Sequence, residues 1–181
     1  MTDAQTYDVV LLVEQPLSAL DAGQVRELHS EAPAPVRYHL LLPVEDAAAR
    51  VESAMGTLAS GDALVAGPML IDQDDVAEIQ RELLDKARAD LAASLSALER
   101  AGTHATGELV TLEPIDALVA KVKDVEAAEV IVLTRPHVVA EFFHLDWTSR
   151  ARRKLGVPVL HLLEHENFDE QAGGPEGISG F

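Results

Sequence analysis

The residues best suited to chemistry lie in the C-terminal third, where Thr134-Arg135-Pro136-His137 closes an apolar run and Thr148-Ser149 follows further on. A guanidinium and an imidazole this close can form an anion site, the arginine through its rigid fork of N–H donors. The hydroxyls of Thr134, Thr148 and Ser149 could add to it. The competing reading is an ion pair between Arg135 and a carboxylate such as Glu14, with His137 an ordinary loop residue. His161-Leu162-Leu163-Glu164-His165 spells H-x-x-E-H, a string that can mark a zinc peptidase. That chemistry needs both histidines one turn apart on a helix. Here the string lies on an extended segment opened by Pro158, so its ends are about 13 Å apart and it reads as a coincidence.

His144-x-Asp146 could join His137 around a metal, but the spacing matches no known ligand set, and with Trp147 it reads as surface polar residues beside one packed ring. Arg150, Arg152, Arg153 and Lys154 form a basic cluster that could hold phosphate. In the last turns of a helix they equally complement its carbonyl end, and that reading is preferred. There is no cysteine, no Gly-x-Ser-x-Gly elbow and no Walker loop. Since no nucleophile has an obvious base, the chain reads as a binding or regulatory protein rather than an enzyme, with no metal and no catalytic residue assigned.

These residues need a scaffold. With 181 residues the chain suggests one domain. Asp and Glu number 31 against 14 Lys and Arg, a net charge of −17 that should repel nucleic acid and anionic membrane. No apolar run approaches the ~20 residues that cross a bilayer, and the start Met1-Thr2-Asp3-Ala4 lacks signal-peptide character. The expectation is a soluble cytoplasmic protein. Aromatic residues are only 4%, so its core is aliphatic.

Residues 7–14 (YDVVLLVE) form a continuous apolar run, as a parallel strand buried on both faces does. Ser18 caps a helix through residue 30, with Leu20, Val25 and Leu28 expected inward. A second strand covers 36–44. Residues 46–74 read as an irregular excursion. Asp75-x-x-Glu78 is a candidate capping box for a long helix, with Val76, Ile79, Leu83, Ala87, Leu91, Leu95 and Leu98 on one face and Gly102 at its end. Further strands are expected at 106–112, 129–134 and 157–163, with helices at 114–125 and 140–155. Residues 166–181 read as a flexible polar tail. Alternation of strands and helices predicts a doubly wound α/β domain over residues 1–165, a five-stranded parallel sheet with helices on both faces. Ligands bind such sheets beyond the carboxyl ends of the strands, which singles out Glu14 to Ser18, Pro43 to Asp46, Glu113 to Asp116 and Thr134 to Val138. The apolar final strand VPVLHLL would be an exposed edge unless an assembly covers it.

The segment order, the long helix after an irregular second connection, and the passages AAEVIVLTRPHVV and TSRARRKLGVPVLHL resemble the universal stress protein family over residues 7–163. The resemblance implies a Rossmann-like fold of the adenine nucleotide alpha hydrolase type, a role in the stress response, and a homodimer joined partly by the final strand. ATP-binding members carry G-x2-G-x9-G-(S/T) after the fourth strand, glycines that let backbone N–H groups approach phosphates. The matching positions here are Thr134, His137, Trp147 and Thr148, of which only Thr148 agrees, and Pro136 removes one N–H. At the end of strand one, where the family tends to have Asp then Gly, this chain has Glu14-Gln15-Pro16. The implied reading is a regulatory domain without family-type ATP binding and with no cofactor expected. The alternative is a binder of ATP, AMP or another anionic small molecule, or a weak hydrolase, acting through Glu14, Thr134, Arg135, His137, Thr148 and Ser149.

Overall fold

The computed structural model describes residues 6–32, 34–44, 73–111, 113–134 and 155–163. Strands β1 (Tyr7–Val13), β2 (Val36–Pro43), β3 (His104–Val110), β4 (Glu129–Thr134) and β5 (Val159–Leu163) alternate with helices α1 (Ala19–Leu28), α2 (Gln73–Arg100) and α3 (Pro114–Asp124). The strands form one sheet in the order β3-β2-β1-β4-β5, every pair parallel. This is the expected five-stranded parallel sheet. The excursion at 46–74, the helix expected at 140–155 apart from Leu155, and the tail at 166–181 lie outside the described residues.

β1 is central because its side chains are apolar on both faces. Val9, Leu11 and Val13 point into a core shared with α1 and α2, through Val25 and Leu98. Val10 and Leu12 point the other way, towards Leu118 and Val122 of α3 and towards Leu155. α2 runs 28 residues, about 40 Å at helical rise. It ends where the Gly102 N–H bonds the Glu99 carbonyl and the Thr103 N–H bonds the Leu98 carbonyl. Gly102 has φ 82°, which a side chain would disfavour, so the predicted glycine cap is present in its Schellman form.

Three expectations are corrected. Val25 of α1 is buried, but Leu20 and Leu28 are 46% and 39% exposed. Five positions separate Leu20 from Val25, about 140° around a helix, so the two cannot share a stripe. The inward face instead includes Asp21 and Gln24. Asp21 tolerates burial because its carboxylate accepts the Ser18 N–H at 2.8 Å and the Ser18 hydroxyl at 2.6 Å, while its own N–H donates to Ser18 Oγ. α2 begins at Gln73, so Asp75 lies inside the first turn rather than at the cap. Finally, β3 begins at His104, two residues before the expected start, because His104 pairs with Arg37 of β2 and Ala105 with Tyr38.

Candidate functional site

The strand order reverses beside β1, with β2 on one side and β4 on the other. A switch point of this kind opens a crevice at the carboxyl ends of the strands. Glu14 stands there, its N–H held by the Leu133 carbonyl of β4 at 3.2 Å. The turn from β1 into α1 is set locally. Pro16 stops the strand, Leu17 is buried, and the Ser18–Asp21 capping box starts the helix.

A cleft of about 360 Å³ opens at this end. Glu14, Gln15 and Pro16 form one wall, Leu42 and Pro43 of β2 the floor, and Leu83, Lys86, Ala87 and Asp90 of α2 the opposite wall. Ser94, one turn beyond Asp90, is fully buried and accepts the Leu17 N–H at 3.0 Å while donating to the Asp90 carbonyl at 2.8 Å. One hydroxyl therefore ties the two walls together. Lys86 Nζ meets Asp90 Oδ2 at 2.5 Å on the rim. With Lys86 mostly exposed, the pair adds little stability. The cleft has a carboxylate at one edge, an ammonium at the other and apolar side chains between, a form that suits a small polar ring compound.

Of the residues predicted for the site, Glu14 lines this cleft and Thr134 ends β4. Arg135, His137, Thr148 and Ser149 lie outside the described residues, as do His144, Asp146, Trp147 and the basic cluster at 150–154. Thr134 is buried, and its Oγ1 is hydrogen-bonded to His161 Nε2 at 2.7 Å. Burial pushes the His161 imidazole down to about 4, so it is neutral at pH 7. His161 is thus a strand residue next to the crevice, as the extended reading of H-x-x-E-H requires. Among the described residues no group of three His, Cys, Asp or Glu could hold a metal ion.

The sequence reading missed the α2 wall. Lys86, Asp90 and Ser94 recur every four residues beside the Leu83–Ala87 stripe, and that polar track bordering the buried stripe was the available signal.

No described helix is long and apolar enough to cross a membrane. No protein-family model and no curated protein matches the sequence. Solved structures do. The universal stress protein UspA from Lactobacillus plantarum is similar at 14% identity and TM-score 0.52, over 87% of this chain and 99% of that one. A universal stress protein family protein from Arabidopsis thaliana, solved with AMP bound, is similar at 14% identity and TM-score 0.51, over 93% and 97%. A hypothetical protein solved as a test case of structural genomics reaches TM-score 0.56 at 14% identity, over 89% and 99%. At these identities the likeness concerns the fold, and with the parallel sheet and its switch point it shows that this chain has the fold of the universal stress proteins.

Proposed function

We propose that this protein is a regulatory domain of the stress response, a homodimer joined along β5 that binds an adenine nucleotide in the cleft between β1, β2 and α2. The observation that carries the reading is the position of the cleft, at the carboxyl ends of the strands beside the switch point. A structure of the same fold holds AMP. The Glu14 carboxylate can accept hydrogen bonds from ribose hydroxyls, and Leu42, Leu83 and Pro43 offer apolar surface to a base. The three glycines of the family's phosphate loop are replaced here by Thr134, His137 and Trp147, and Pro136 lacks an N–H. Side chains at those positions would keep a triphosphate away from backbone donors that glycines leave open. A monophosphate needs fewer, and Arg135, His137, Thr148 and Ser149 are our candidates to meet it.

Thermal unfolding with AMP, ATP and magnesium tests this. A ligand at 100 times its Kd stabilises the native state by about 2.7 kcal/mol, several degrees for a domain of this size. We expect AMP to raise Tm at least as much as ATP, and Glu14→Ala to remove the rise. No rise with any nucleotide overturns nucleotide binding. A second reading, a weak nucleotide hydrolase, draws on Lys86 at the rim as a phosphate contact. It requires saturable ATP hydrolysis that Arg135→Ala and His137→Ala abolish.

A further inference from the structure

Asp8 of β1, His39 of β2 and Thr106 of β3 meet on one face of the sheet. Thr106 is the register partner of His39, and Asp8 pairs with Arg37, two residues before His39. Gly107 faces Leu91 of α2, so Thr106 beside it faces the other way. Val10 and Leu41, on the same face as Asp8 and His39, belong to the core that holds Leu118 and Val122 of α3. The cleft walled by α2 is therefore on the far side of the sheet. Because the three residues come from three strands, their adjacency leaves no signature in the sequence.

Asp8 is fixed first. Arg37 Nε donates to its Oδ1 at 2.7 Å, Arg37 Nη2 to its Oδ2 at 3.1 Å, and the Thr6 hydroxyl to Oδ2 at 2.8 Å. The Arg37 guanidinium, aided by His39 and Thr6, holds the carboxyl well below the usual carboxylate range, so it only accepts. His39 Nε2 therefore donates to Asp8 Oδ1, at 2.7 Å. In the neutral ring Nδ1 is then the acceptor, and it stands 3.2 Å from Thr106 Oγ1. Exposure rises along this line of bonds. The Asp8 side chain is 8% exposed and that of His39 12%, while Thr106 is open to solvent. A buried carboxylate, an oriented imidazole and an exposed hydroxyl in that order make an activated nucleophile.

We propose that Thr106 is an acyl-accepting nucleophile, with His39 as its general base and Asp8 as the residue that positions the imidazole. The substrate class is an activated acyl donor, an aryl ester or a thioester. Thr106 Oγ1 attacks the acyl carbon while His39 Nδ1 takes the hydroxyl proton. The new bond joins Oγ1 to that carbon. The bond to the leaving oxygen or sulfur breaks with its electron pair, and His39 passes the proton to the leaving group. Water, deprotonated by the same nitrogen, then hydrolyses the acyl-threonine to the free acid and restores Thr106. β3 has β2 as its strand neighbour among the described residues, so alternate N–H groups along it face outward. Such a group lies on Thr106 or on its two neighbours, where the tetrahedral oxygen needs a donor. No step uses AMP or the cleft, so this inference goes beyond the nucleotide reading and fails or holds apart from it.

The full chain treated with p-nitrophenyl acetate, followed by nitrophenolate release and by tandem mass spectrometry, tests it. We expect an acetyl ester on Thr106 that hydroxylamine removes, which separates it from acetyl amides on lysine. Thr106→Ser should keep the reaction and Thr106→Val should end it. His39→Gln should slow acetylation of Thr106 about a hundredfold with an unchanged circular dichroism spectrum. If His39→Gln does not fold, the two changes at the exposed Thr106 still decide. Heteronuclear NMR of His39 reads the part of Asp8. The wild-type ring should carry its proton on Nε2, and Asp8→Asn should give a mixture of tautomers. An Asp8 that served the fold alone would leave that ratio unmoved. Acetyl on lysines alone, Thr106 labelled at the wild-type rate in His39→Gln, or a wild-type ring protonated on Nδ1 overturns the proposal. A burst of nitrophenolate with no further release overturns the hydrolytic step and leaves Thr106 as the acyl acceptor.

Discussion

Ser94 of α2 holds Leu17: the Leu17 N–H donates to Ser94 Oγ at 3.0 Å, across 77 residues of sequence. The turn carrying Glu14 and the helix carrying Lys86 and Asp90 meet at that single buried hydroxyl. Ser94→Ala leaves the Leu17 N–H buried without its acceptor, at a cost of about 1–3 kcal/mol. We expect that loss in urea unfolding, together with a weaker AMP-induced rise in Tm. Equal stability of the two proteins would show that Leu17 has another acceptor.

The second prediction concerns Gly107 of β3. A Cβ there would stand 2.8 Å from Leu91 Cδ1 and 3.2 Å from Leu95 Cδ2, so α2 packs against bare backbone. Gly107→Ala should destabilise by about 1–3 kcal/mol through overpacking. Because Leu91 Cδ1 is the end of a side chain, Leu91→Val should relieve part of the strain. The double variant is then less damaged than the sum of the two single changes, a coupling that a denaturant cycle measures.

Asp8 sets the third. Arg37 Nε donates to its Oδ1 at 2.7 Å, and His39 Nε2 and the Thr6 hydroxyl also contact the carboxylate. The Arg37 guanidinium, aided by His39 and Thr6, holds Asp8 well below the usual carboxylate range. A depressed acid contributes stability above its unfolded value, 3.8, and loses it as pH falls through the folded one. Asp8→Asn should therefore cost about 2 kcal/mol at neutral pH, and the gap to wild type should close in strong acid. An unchanged gap would rule out the linkage.

His161 gives the fourth. Its folded value near 4 is below the ordinary 6.5, so the unfolded chain takes up the proton first. Stability should therefore fall as pH drops from 6.5 towards 4. His161→Gln should flatten that part of the profile. Proton NMR should find one imidazole still neutral at pH 5; if His161 titrates near 6.5, burial is not governing it.

The β1 and β4 strands are legible in the sequence because central parallel strands are buried on both faces and need unbroken apolar runs, as in YDVVLLVE and EVIVLT. α2 is legible because a 28-residue helix repeats its stripe many times. α1 is legible as a helix capped by Ser18, but its inner face is not, since ten residues carry few repeats and that face includes Asp21 and Gln24. Glu14 could be located from topology alone. Lys86, Asp90 and Ser94 could not, because their place in the cleft depends on how α2 lies across the sheet. Asp8 sits inside an apolar run, and its partners Arg37 and His39 come from another strand.

The order of the strands also fixes the order in which the chain can assemble. β1 meets β2 through partners as near as Asp8 and Arg37, 29 residues apart, but meets β4 only at distances such as the 122 residues between Tyr7 and Glu129. Short loops close before long ones. The β1-α1-β2 unit can form while the rest of the chain is still being made, whereas β4 and β5 join later. Until they do, one flank of β1 stays open, and a nascent chain is most exposed to misassociation along the flank where the finished protein would carry Leu160.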